Sequence, residues 1–174
     1  MKDSGIKNLT LAAMIAALYV VLTILSHAIG LASSQIQIRL SEALAVLPFL
    51  TPAAIPGLFV GCILANIFTG ALLPDIIFGS LATLAGAVGT YALSRLAKKT
   101  QRDNLVRTLT LLAPLPAILA NTLAVPFILR YVYGIVPIWL SFITVFAGEF
   151  VSAGVLGHFF LKALCHSTKG SSSV

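Results

Sequence analysis

Charge is what this sequence lacks most. Of its 174 residues only 9% are Asp, Glu, Lys or Arg, against 59% hydrophobic, whereas a soluble domain carries about 25% charged residues. So little polarity cannot cover a water-facing surface, which excludes a soluble enzyme, a disordered chain and a nucleic-acid-binding domain. Acidic residues are scarcest: there are five, and the formal net charge is +6. In so apolar a chain an excess of Lys and Arg reads first as membrane orientation, not as affinity for nucleic acid. Cysteine is nearly missing as well. Cys62 lies in an apolar run and Cys165 near the C-terminus, which gives neither a disulfide framework nor metal-ligand spacing. His27, His158 and His166 are scattered. The sequence has no Gly-x-x-x-x-Gly-Lys, no His-Glu-x-x-His and no Gly-x-Ser-x-Gly motif. No catalytic residue, cofactor or metal is therefore expected, and any ATP hydrolysis must come from another chain.

What is present is long apolar runs. A membrane-spanning helix needs about 20 mostly apolar residues, and six candidates occur, over about 9–31, 38–50, 53–73, 75–96, 108–131 and 136–164. The first is too long for a signal-peptide core and is kept as mature structure. Turn chemistry separates the others, as at Thr51-Pro52, Leu73-Pro74-Asp75 and Tyr133-Gly134. The expected architecture is an all-α bundle of six transmembrane helices over residues 1–166, with a polar, Ser-rich, disordered tail over 167–174. Nine of the eleven basic residues fall before the first run, from Arg95 at the end of the fourth run to Arg107 before the fifth, or from Lys162 at the end of the sixth onward. Six spans put those regions on one side, which the positive-inside rule makes cytoplasmic, with both termini. The expected location is the cell membrane.

The remaining polar groups concentrate toward the opposite, outer side. A charge at bilayer depth costs about 2.5–3.5 kcal/mol on insertion scales, so such groups line cavities or pair with one another. Glu149, inside the sixth run, suits a ligand's N–H edge or cation, or else a structural partner such as Arg130. Asn66 and Asn121 offer amides that recognise a heterocycle edge or bond a neighbouring helix. Asp75 follows Pro74, where it caps a helix, contacts ligand, or both. Arg39 and Glu42, three residues apart, form a local ion pair or, with Gln35 and Gln37, a gate over a pocket. Phe142, Phe146 and Trp139 could stack on a flat ligand, although Trp139, Tyr131 and Tyr133 also suit an interfacial aromatic belt. Small residues recur at four-residue spacing, Ala12 with Ala16, Ala13 with Ala17, and Gly57 with Gly61, and permit close helix approach within the bundle or to a separate subunit.

The run from Ile36-Gln37-Ile38-Arg39-Leu40-Ser41-Glu42 to Cys62-Ile63-Leu64-Ala65-Asn66, with Asp75-Ile76-Ile77-Phe78-Gly79-Ser80 after it, resembles the queuosine-precursor transporter family (QueT). The resemblance implies a six-helix substrate-binding (S) component of an energy-coupling factor (ECF) transporter. Such a component takes a micronutrient, here a 7-deazaguanine or related queuosine precursor, from outside. It then works with a transmembrane coupling protein and two cytosolic ATPases. The family's Ala-x-x-x-Ala docking surface maps onto Ala12, Ala13, Ala16 and Ala17. Three other readings stay open: an S component for another vitamin or purine, a stand-alone ion- or proton-coupled carrier, and a non-transport membrane assembly protein.

Overall fold

The computed structural model describes residues 2–31 and 38–170, and among these it contains helices and no strand. Helix α1 spans Lys2–Ala28. A 3₁₀ segment, Leu40–Phe49, follows, then α2 (Ala54–Phe68), α3 (Leu73–Lys99), α4 (Asp103–Leu111) and α5 (Leu115–Tyr131). The last apolar run comprises α6 (Ile138–Glu149), a π turn over Phe150–Leu156 and α7 (Gly157–Gly170). The all-α expectation holds. Among the described residues four helical stretches are long and apolar enough to cross a membrane, namely Gly5–Ala28, Leu73–Lys99, Asp103–Tyr131 and Ile138–Leu164. The second and third runs are shorter helices. The region between the fourth and fifth runs, read from sequence as connection, is partly helical: α4 starts at Asp103. Pro114 then breaks the helical path, because a proline ring clashes with the preceding turn. Helix α7 continues to Gly170, and residues 171–174 lie outside the described residues.

Small residues bring the helices together. A Cβ on Gly57 would lie 2.7 Å from the Ala12 carbonyl oxygen, and one on Gly61 would lie 3.0 Å from Ala16 Cα and 2.9 Å from Tyr19 Cβ. Between α3 and α5, a Cβ on Gly86 would sit 2.7 Å from Ala117 Cα. At these crossings backbone meets backbone, as apolar surroundings favour where packing rather than water drives association.

The 3₁₀ segment packs against α1, α3, the π turn and α7, and Leu44, Val46 and Leu47 are buried there. Ten residues are far more than the three or four usual for 3₁₀ geometry. Side-chain hydrogen bonds from α1 hold its start: Thr23 Oγ1 donates to Ser41 Oγ at 2.8 Å, and the Leu40 amide donates to Ser26 Oγ at 2.9 Å. At its other end Ser94 Oγ donates to the Phe49 carbonyl at 2.6 Å. Polar groups that the irregular backbone leaves open thus find partners, as low-dielectric surroundings require.

Candidate functional site

Two cavities lie along the polar side of the bundle, and Arg39 lines both. The larger, about 290 Å³, is bounded by His27 at the end of α1, Asn66 and the turn Thr69–Ala71, Asp75 at the start of α3, and Tyr133. All these positions sit at the end of the bundle away from Lys98 and Lys99, which occupy the other end of α3. The turn itself needs Gly70, whose φ of +73° is open to few other residues.

Asp75 does not cap α3; Leu72 holds the cap position, with no side-chain cap bond. Its carboxylate turns into the cavity, where Oδ2 accepts from the Tyr133 hydroxyl at 3.0 Å. Tyr133 also accepts from the Leu72 amide at 3.3 Å. Partial burial raises the Tyr133 phenol above its ordinary value, so it stays a donor to Asp75 through the neutral range. Asp75 and Asn66 face one another over Gly79, where a Cβ would lie 3.1 Å from Asp75 Oδ1 and 3.5 Å from Asn66 Nδ2. An acceptor and a donor are thereby held side by side above a gap that glycine keeps open.

The inner cavity, about 10 Å³, has room for a single water. It is lined by Arg39, Glu42, Thr83, Asn121, Val125, Val145 and Glu149. Asn121 Nδ2 donates to Glu149 Oε1 at 3.0 Å and to Glu42 Oε2 at 3.3 Å. The Tyr19 hydroxyl donates to Glu42 Oε1. Glu149 Oε2 is buried and has no hydrogen-bond partner among the described residues. Cys62 lies between a residue of each cavity: Asn66 Nδ2 is 3.7 Å and Thr83 Oγ1 3.4 Å from its sulfur.

Four of the residues read from sequence as substrate-binding therefore gather in or between these cavities: Asn66 and Asp75 in the outer, Asn121 and Glu149 in the inner. Of the gate residues, Arg39 and Glu42 join them, while Gln35 and Gln37 lie outside the described residues. Three aromatics do not line either cavity. Phe142 packs edge-to-face on Phe127 at 5.6 Å, Trp139 is 61% exposed, and Phe146 is 47% exposed beside an apolar surface groove. The alanine set divides. Ala12 and Ala16 are buried against α2, whereas Ala13 and Ala17 are exposed. Tyr19, Thr83 and His27 were not foreseen. Each lies within a largely apolar helix, and only the packing shows which way it points.

A model of the QueT transporter family matches residues 9–166. The chain belongs to the QueT transporter family. It is a membrane transporter protein, in keeping with its four long apolar helices. No curated protein and no solved structure matches the chain.

Proposed function

We propose that this QueT-family protein is the substrate-binding component of an ECF-type importer, and that it captures a queuosine precursor of the 7-deazaguanine type from outside the cell. The observation that carries this reading is the cavity of about 290 Å³ at the end of the bundle away from the basic segments, with Asp75 and Asn66 facing one another across Gly79. Its volume falls at the small end of ligand sites, which suits a bicyclic base. A deazaguanine edge carries adjacent N–H donors and a carbonyl acceptor, which a carboxylate and an amide complement. An aminomethyl substituent is cationic and would meet Asp75 or the inner carboxylates Glu42 and Glu149. The positive-inside rule supports termini in the cytoplasm, and the lack of any nucleotide-binding motif supports partner ATPases. The exposed Ala13 and Ala17 offer a small-residue face for the coupling protein. The lipid bilayer is the remaining partner, and nucleic acid is not one.

Mass spectrometry of small molecules retained by gently purified protein tests the cargo. A 7-deazaguanine released on denaturation, and lost from Asp75→Asn, is the expected result. A retained compound without a guanine-like edge would replace this cargo with another vitamin or purine.

A further inference from the structure

Only five carboxyl side chains occur in the whole sequence, and two of them share one donor. Glu42, on the 3₁₀ segment, and Glu149, on α6, are far apart in sequence, yet both accept from the same Asn121 nitrogen. That amide has two hydrogens, one for each carboxylate. Glu42 is further supplied by Tyr19, so both its oxygens accept hydrogen bonds, as suits an anion. Glu149, which lines the inner cavity, is different: one oxygen takes the amide hydrogen and the other is buried with no donor among the described residues.

The charged and titratable groups around the pair come from α1, α2 and the residue that precedes the 3₁₀ segment. Tyr19 lies on α1, Arg39 precedes the 3₁₀ segment, and Cys62 lies on α2, with Thr83 of α3 completing the polar wall. Beyond Arg39 the outer cavity adds His27, Asp75 and Tyr133. Among the described residues lining the inner cavity, then, two carboxyl groups stand against one guanidinium, and that guanidinium also lines the outer cavity with Asp75. Uncompensated charge in a water-poor, membrane-embedded site is costly, and two carboxylates held at one donor repel each other. Such pairs resolve the conflict by holding a proton between them.

We infer that Glu42, Asn121 and Glu149 form a proton-binding dyad, in which the two carboxyl groups together hold one proton while the cavities are free of cargo. The proton belongs to the pair. It leaves to solvent when a cation or a donor edge takes the Glu149 oxygen that has no partner among the described residues. The inference concerns the cargo-free protein, so it stands or falls apart from the identity of the cargo.

Infrared difference spectroscopy of the purified, cargo-free protein in H₂O and D₂O at neutral pH is the test. The expected result is a protonated-carboxyl C=O band, shifted by D₂O, with the intensity of one group per chain. It should vanish in both Glu149→Gln and Glu42→Gln, because either change leaves the remaining carboxylate without a rival. It should persist in Asp75→Asn. No such band in the wild-type protein, or a band that survives Glu149→Gln and disappears in Asp75→Asn, would overturn the dyad. The wild-type spectrum decides the matter even where a glutamine variant fails to fold.

Discussion

Gly79 shows how much a single missing carbon does beside Asp75 and Asn66. In a helix interior, Gly→Ala ordinarily stabilises by about 0.8–1.0 kcal/mol, but here the added methyl would press on Asp75 Oδ1 at 3.1 Å. Gly79→Ala should therefore keep or raise thermal stability while weakening cargo binding by about tenfold or more, the equivalent of about 1.4 kcal/mol. Thermal unfolding and calorimetric titration of the same sample check the two opposite signs. Asn121 is the opposite case, a group whose removal harms both properties. Asn121→Leu keeps the volume but leaves two buried carboxylates without their shared donor, which should lower stability by about 1–3 kcal/mol and abolish binding. If the dyad holds a proton, cargo that engages Glu149 expels it, and affinity rises with pH. Titration in two buffers of different ionisation enthalpy should then read about one proton released per cargo bound; a heat independent of buffer would contradict it. Glu149, Asn121, Asn66 and Asp75 were all legible in the sequence, because polar groups in apolar runs are conspicuous. Their partition between two cavities was not, since spacing along separate helices says nothing about depth or facing.

At the scale of elements, α1 has two working faces. Its inner face carries Ala12 and Ala16 against α2, followed by Tyr19, Thr23 and Ser26, whose side chains hold the 3₁₀ segment. Its outer face carries Ala13 and Ala17 among the exposed Met14, Leu18 and Val21. Substitutions on the two faces should part company. Gly61→Leu forces α1 and α2 apart, because even a Cβ there lies 2.9 Å from Tyr19 Cβ. It should cost about 1–3 kcal/mol and loosen the 3₁₀ segment, seen as a lower unfolding temperature in detergent. Ala13→Leu with Ala17→Leu should leave unfolding and cargo binding unchanged and reduce transport once the coupling partners are present; undiminished transport would remove this face as the docking surface. The repeat of small residues announced close packing, but not which alanines α2 covers. The 3₁₀ segment and the π turn were invisible to a count of apolar residues. Both adjoin the site, Glu42 lying in the first and Glu149 just before the second, and irregular helix geometry of this kind is frequent where side chains must be aimed.

For the whole molecule, the contrast is between its two ends. One end of α3 bears Lys98 and Lys99, and the other opens into the cavity that Asp75 lines. Cysteine labelling in intact cells reads this polarity directly, in a Cys165→Ser background: Val136→Cys should react with an impermeant thiol reagent from outside and Gln101→Cys should not. Reconstituted alone in liposomes, the protein should bind cargo but not accumulate it. Accumulation driven by a proton gradient without ATPases would point instead to a stand-alone carrier.

Composition by itself determined that this chain belongs in a membrane, because solvation energy depends on how much charge there is and hardly on its arrangement, and its long apolar runs made it helical, because a helix satisfies its own backbone within one segment. Motif likeness reached the family for the same one-dimensional reason. Only the tertiary structure decided that a single amide serves two distant carboxylates, that Asp75 turns from its helix end toward Tyr133, and that one pair of alanines is spent on packing while the other faces outward. Those outcomes depend on which side of each helix meets its neighbour, and that is settled by the mutual fit of all the helices at once.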